Sequence, residues 1–348
     1  MAAVVLSCRM CSESVMSVRE YSKRLGNISD EQLQRALNYF DLGKFLHADP
    51  IPFGLFGQNL FVTSTIGDFV LRGVPHYDWQ FPTEKFFIEQ LHDKTRVPVP
   101  HPYLFNPSAE IFGWPFVIMP KMSGLQLADL QIVSNLSMDE RRGVAQALAA
   151  MLIEIQTLRW EHSGRYQLAT QMIEPMGQNY RSWIVQRIRE LLTQAQSYNA
   201  NTTAADAAWV ENVVAQTADA CLTPFEPCLV LEDYKEPNVV VTQEQTGWRV
   251  SGVFDFMTAH FGDGEADLAR QSGTYLREMP ELADEFVQFY LGHKVVQPGF
   301  GKRQQLYMLY DSLLIWSFWQ GHAGGLPENK TLNLEQWAGP FVAYWEKF

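Results

Sequence analysis

Residues 228–270, CLVLEDYKEPNVVVTQEQTGWRVSGVFDFMTAHFGDGEADLAR, place four polar anchors between two runs that read as buried strands. The anchors are Asp233, Asn238, Asp255 and Asp267. An acidic residue and an Asn five positions apart, joined by a short strand pair to an Asp-Phe dipeptide, can gather oxygen ligands around one magnesium-nucleotide. Taken singly, Asp233 and Asn238 also suit a tight turn, and Asp255 a strand end. Their combination is what points to phosphoryl-transfer chemistry.

Working outward, the 348 residues are enough for one large domain or two lobes. Forty-seven per cent apolar residues, with ten Trp and twenty-two Phe, exclude a disordered chain. The formal net charge of −12 disfavours a nucleic-acid partner, whose phosphates need a basic surface. Four cysteines are too few for a disulfide framework at this length and fit a reducing cytoplasm. Cys8 and Cys11 have C-x-x-C spacing, but no second pair completes a zinc site, so they read as thiols of a flexible leader. No stretch approaches the roughly twenty apolar residues of a membrane span.

Upstream, Ser29-x-x-Gln32 is a capping-box pattern followed by Leu33, Leu37 and Phe40 at helical spacing. Residues 52–73, PFGLFGQNLFVTSTIGDFVLRG, read as a β-hairpin turning at Gly67-Asp68 and preceded by a glycine-bearing loop. Gly54 and Gly57 with Asn59 can let backbone amides approach phosphate oxygens, or can simply serve turn geometry. A helix is predicted over 82–94, with Glu84 in its first turn, where the helix dipole alone favours a carboxylate. Residues 112–120, FGWPFVIMP, read as a buried strand. After the turn chemistry of Met119-Pro120-Lys121-Met122-Ser123-Gly124 the pattern becomes helical. Ser137-x-x-Glu140 opens a long amphipathic helix, and further helices are expected near 183–192, 208–220, 282–290 and 306–319. Trp316, Phe318 and Trp319 read as core aromatics, with stacking on a flat ligand as the other use.

A small β-rich lobe, a linker strand and a larger helical lobe carrying the Asp-Asn-Asp set describe a two-lobed kinase. Over about residues 45–325 the chain resembles the aminoglycoside phosphotransferase and choline kinase group of small-molecule kinases, which have a protein-kinase-like fold. That group carries H-G-D-x-x-x-x-N, a strand ending in D-F or D-W, then G-D-x-x-x-D-L-A. Here the corresponding text is L-E-D-Y-K-E-P-N, V-F-D-F and G-D-G-E-A-D-L-A, with spacings intact.

The resemblance implies an α+β, protein-kinase-like fold. Its parts would be a leader and helix (1–44), a nucleotide-binding N-lobe (45–122) and a C-lobe with catalytic loop, metal and acceptor site (123–348). It implies Asp233 as catalytic carboxylate, Lys235 near the transferring phosphate, Asn238 and Asp255 as Mg2+ ligands, and Asp263 and Asp267 as support for the loop. It places Gly54, Gly57 and Asn59 at the nucleotide loop, Arg72 on the phosphates with Glu84 as its partner, and Met119, Lys121 and Met122 at the purine hinge. The expected activity is transfer of the γ-phosphate of ATP or GTP to a small hydroxylated molecule such as an amino sugar or amine alcohol. The enzyme would be a cytoplasmic monomer or homodimer. The sequence departs from the group at Leu231 and Glu232, which replace its His-Gly, and at Gln156, which stands where a histidine is common. The lost His-Gly pair, with arginine at position 72 where the group more often has lysine, leaves open an alternative, a pseudokinase that binds nucleotide without transferring phosphate. Glu232 and Glu236 add negative charge that either suits a cationic acceptor or faces solvent.

Overall fold

A computed structural model describes residues 18–52, 56–177, 179–198, 201–323, 326 and 331–348. Among these the chain forms two compact units, one from residues 18–76 and 104–121, the other from 77–103 and 122–348. Cys8, Cys11 and Gly54 lie outside the described residues.

The first unit opens with a hairpin of β1 (Val18–Ser22) and β2 (Gly26–Ser29), which leads into α1 (Asp30–Tyr39). The expected capping box is present: Ser29 Oγ accepts from the Gln32 amide, and the Gln32 side chain accepts from the Ser29 amide. An antiparallel sheet follows, of β3 (Phe45–Pro50), β4 (Asn59–Ser64), β5 (Gly67–Gly73), β6 (Leu104–Asn106) and β7 (Phe116–Pro120), in the order β3-β4-β5-β7-β6. Alternate residues point to one face, so Leu60 and Val62 from β4, Leu71 from β5 and Phe116 and Ile118 from β7 bury together with Leu33 and Leu37 of α1. The predicted hairpin is β4–β5, and the predicted buried strand is β7.

The second unit begins with α2 (Gln80–Lys94). This helix starts two residues before Pro82, which falls in the first turn, where a missing N–H breaks no helical bond. Several bonds tie this stretch to later residues of the unit: the Arg96 amide donates to Glu154, the Val253 amide to Pro98 O, and the Phe87 ring packs on Phe261. The chain then runs through β8 (Leu125–Gln126), α3 (Leu130–Asn135) and α4 (Met138–Ile155), the last opened by the expected Ser137–Glu140 box. Next come β9 (Gly164–Gln167), β10 (Met172–Pro175), α5 (Tyr180–Tyr198) and α6 (Ala204–Thr217). The short pair β9–β10 lies where no strand was expected, because four-residue strands give too little alternation to register.

After α6 follow β11 (Cys228–Val230), β12 (Val239–Glu244), β13 (Gly247–Val253) and β14 (His260–Gly262), then α7 (Leu268–Glu278), α8 (Pro280–His293), α9 (Phe300–Ala323) and α10 (Leu334–Ala343). The strands build two small sheets, β10-β9-β14-β11 and β13-β12-β8. Trp316 of α9 is core: it is 1% exposed, packs on Trp337 and donates its indole N–H to Thr202 Oγ1 at 2.8 Å. The expected class holds, a β-rich N-terminal part and a mainly helical C-terminal part. No described helix is long and apolar enough to cross a membrane.

Candidate active site

The buried strand β11 delivers the chain to Leu231, where the sheet ends and a loop must be held by side chains. Asp267 does this, accepting the Leu231 amide on Oδ2 at 2.7 Å and the Glu232 amide on Oδ1 at 2.8 Å. Thr258 Oγ1 donates to Leu231 O at 3.0 Å. Burial pushes the Asp267 carboxyl up to about 7 even though both amides favour its ionised form. Asp263 caps the short helix carrying Asp267, accepting the Glu265 amide on Oδ1. Its Oδ2 receives the Tyr307 hydroxyl at 2.6 Å and the Arg181 guanidinium.

The loop turns at Glu232, whose φ of +67° lies in the left-handed region. The resembled group carries glycine at this position, and glycine is the residue that adopts such a φ without a Cβ penalty. Beyond it, Asn238 Nδ2 donates to Asp233 O at 2.9 Å and to Asp233 Oδ2 at 3.1 Å. Lys235 Nζ reaches both Asp233 carboxylate oxygens at 2.8 Å. Arg270 Nε lies 3.2 Å from Asp233 Oδ1 and 3.0 Å from Asp311 Oδ1. Burial raises the Asp233 carboxyl, but Arg270 and then Lys235 outweigh it, so the group sits below the ordinary carboxylate range.

Asp255 comes to the same place through the backbone. The β12–β13 hairpin pairs Val239 with Val253, and the Phe254 amide donates to Asn238 O at 2.9 Å, so Asp255 follows directly beside Asn238 at the open end of the hairpin. Its φ of +64° turns the chain out of β13. With Asn238 Nδ2 committed to Asp233, the amide oxygen is the atom left that could coordinate a cation. One amide oxygen and one carboxylate fit magnesium, which takes few protein ligands and fills its octahedron with phosphate and water oxygens. Accordingly, the described residues contain no cluster of three or more His, Cys, Asp or Glu that would cage a metal.

Glu236 differs from expectation: it neither faces solvent nor adds charge to an open site. It is buried, accepts the Tyr275 hydroxyl at 2.6 Å and pairs with Arg141 at 3.4 Å. Gln156, in the place of the group's histidine, donates to Gly264 O at 2.7 Å and accepts from Tyr290 OH at 2.9 Å, bracing the segment that carries Asp263 and Asp267.

In the first unit, Gly57 has a φ of +57° and its carbonyl accepts from Ser22 Oγ at 2.6 Å. Asn59 and Arg72 face each other across β4 and β5. Met119 pairs with Val70 in the sheet, and Lys121 Nζ lies 4.2 Å from the centre of the Phe61 ring. Met122 and Glu84 belong to the second unit, where Glu84 accepts from Tyr103 OH at 2.6 Å and Gln80 Nε2 at 3.2 Å.

Sequence reasoning missed three residues. Arg24 donates to Val74 O at 3.0 Å, and burial, then the like charge of Arg72, lowers its pKa. Nothing local marks it. Arg270 and Asp311 were legible only as ionisable groups in buried surroundings, Asp311 standing alone within the apolar run LYMLYDSLLIW (306–316).

The profile of the phosphotransferase enzyme family (APH) matches residues 47–305. A comparison with curated protein sequences gives no match. Among solved structures the chain is similar to a thermostable mutant of aminoglycoside phosphotransferase APH(4)-Ia in ternary complex with ADP and hygromycin B. That similarity has a TM-score of 0.63 at 16% identity, covering 90% of this chain and 97% of that one. It is similar too to a putative fructosamine-3-kinase from Thermobifida fusca, with TM-score 0.61, 16% identity and coverage of 91% and 99%. Choline kinase LicA from Streptococcus pneumoniae matches with TM-score 0.57, 13% identity and coverage of 90% and 99%. With most of its length matched by the family profile and its fold shared with these kinases, the chain belongs to the phosphotransferase enzyme family and has the protein-kinase-like fold.

Proposed function

We propose that this phosphotransferase is a small-molecule kinase that moves the γ-phosphate of ATP or GTP to a hydroxyl of a small acceptor, with amino sugars and amine alcohols as the acceptor class. The observation that carries this reading is the single hydrogen-bonded loop joining Asp233, Lys235 and Asn238, with Asp255 on the adjoining hairpin end.

In the proposed reaction Asp233 receives the acceptor hydroxyl as a hydrogen-bond donor and orients its oxygen toward phosphorus. The new O–P bond forms as the bridging P–O bond to the β-phosphate breaks, and the hydroxyl proton passes to Asp233. The carboxylate need not be strongly basic, because proton transfer does not have to precede a loose transfer. Lys235 is placed to neutralise charge on the moving phosphoryl group. Asn238 and Asp255 would hold Mg2+, which when bound neutralises phosphate charge. Arg72 would meet the nucleotide phosphates, with the backbone around Gly57 and Asn59. Met119, Lys121 and Met122 would meet the purine. Positioning and charge neutralisation supply most of the acceleration in such a reaction.

Support for transfer, rather than nucleotide binding alone, comes from the intact loop: Leu231 and Glu232 keep both amide bonds to Asp267 despite replacing His-Gly. The acceptor class is supported by the neighbours, whose names give an aminoglycoside, a fructosamine and choline, each a hydroxylated amine or ammonium compound. The reading includes a cytoplasmic monomer or homodimer with no nucleic-acid partner. Nucleotide labelled at the γ-phosphate, incubated with magnesium and a panel of amino sugars and amine alcohols, should label at least one acceptor. A panel left entirely unlabelled, with both ATP and GTP, contradicts the reading.

A further inference from the structure

Asp233 has two cationic partners of different character. Lys235 is two residues away on the same loop, and its side chain is 30% exposed. Arg270 is 14% exposed and projects from the first turn of α7, while its second carboxylate partner, Asp311, is 6% exposed and stands on α9. One guanidinium thus bridges the loop carboxylate to a buried carboxylate on a separate helix. A buried charge persists only when paired, and here each member supplies that pairing for the next. The Lys235 contact is local and reaches solvent, so it can be exchanged. The Arg270 contact is held from two helices, α7 and α9, and releasing it takes from the buried Asp311 its strongest cationic partner. Tyr310, the neighbour of Asp311 on α9, donates to Glu232 Oε1 at 2.6 Å, so α9 holds two successive loop residues.

Building on the phosphotransfer reading, we propose that Arg270, anchored by Asp311, is the positioning residue that fixes the Asp233 carboxylate throughout turnover, while Lys235 is the exchangeable partner that leaves Asp233 for the transferring phosphate. In this role Arg270 acts through Asp233. The pair explains why a basic residue follows the D-L-A segment and why a carboxylate interrupts the apolar face of α9.

Two measurements test this. In the first, crystal structures of Lys235→Ala and Arg270→Gln are compared with that of the wild type. Asp233 is expected to keep its side-chain rotamer and its place in the lysine variant and to rotate in the arginine variant. An Asp233 unmoved by Arg270→Gln overturns the proposal. The second uses Mg-ATP and Mg-GTP, with hydrolysis to water as the read-out. Arg270→Gln should lower kcat about 10- to 100-fold, at most the low end of the roughly 10²- to 10⁴-fold that a positioned acid–base group contributes, with KM for nucleotide within about twofold. Arg270→Ala should regain activity on addition of guanidinium ion. The double variant Arg270→Gln/Asp311→Asn, which removes both buried charges together, should stay folded and be no slower than Arg270→Gln alone. A kcat unchanged in Arg270→Gln, or a loss that guanidinium does not restore, overturns the positioning role. If the wild type passes the γ-phosphate of neither nucleotide to water or to any acceptor of the panel, the phosphotransfer reading fails, and the rotamer comparison still decides the clamp.

Discussion

Glu232 occupies a left-handed backbone position, at a cost of about 1 kcal/mol or more for a residue with a Cβ. Its return is the Tyr310 hydroxyl, donated to Oε1 at 2.6 Å. Glu232→Ala keeps the strain and loses the bond, whereas Glu232→Gly loses both. The glycine variant should therefore be the more stable of the two by about 1 kcal/mol in urea denaturation; equal stabilities would show that the backbone is not strained there. Asp267 gives a prediction in pH. Its carboxyl is pushed up to about 7 in the folded protein, against an ordinary value near 4. Between about pH 4 and 7 the native chain holds a proton that the unfolded chain has released, so this site's contribution to stability falls as pH rises through that window. Asp267→Asn does not titrate, and its urea midpoint should gain on the wild type between pH 5 and pH 8. A constant difference would show no titration of Asp267 in that range. The spacing of Asp233, Asn238, Asp255 and Asp267 was legible because metal and phosphate chemistry restricts both residue type and interval. Arg270 was not, because its two partners come from positions 233 and 311, and only tertiary structure brings them together.

Among the elements, helix starts were the most legible, since Ser29 and Ser137 cap through contacts three residues away. The hairpin β4–β5 and the strand β7 were read from alternation and apolar runs. Elements that depend on distant residues were harder to read. The segment from β11 to α7 stays in place through Arg181 on α5, which pairs with Asp263 and donates to the carbonyls of Cys221 and Thr223. Burial opposes its charge, but Tyr307 and Asp263 more than restore it, and its pKa is raised. Arg181→Ala strands a buried carboxylate and should cost about 3–5 kcal/mol, as removal of one member of a buried pair does. A loss below about 1 kcal/mol would mean that Asp263 finds another partner.

At the scale of the whole molecule, the chain passes between its two units at 76/77, 103/104 and 121/122. Local patterning could show a β-rich part followed by a helical part. It could not show that residues 77–103 group with the second unit, because the bonds of Arg96 to Glu154 and Val253 to Pro98 span long stretches of sequence. The acceptor was illegible for a related reason: Glu236, acidic and next to Lys235, turned out to be buried against Arg141 and Tyr275. A protein that binds Mg-nucleotide only when folded gains stability by mass action, about 2.7 kcal/mol at a hundredfold excess over Kd. Magnesium with ATP or GTP should therefore raise Tm, and a Tm unmoved by either would count against both transfer and nucleotide binding.

In the proposed reaction Asp233 orients the acceptor for phosphoryl transfer. The most direct test of this role is Mg-nucleotide turnover by Asp233→Ala, measured alongside nucleotide affinity in the same preparation. Affinity is expected within a few-fold of the wild type and turnover lowered about 10²- to 10⁴-fold, the usual contribution of a positioned acid–base group. Turnover equal to the wild type, with affinity intact, would contradict it.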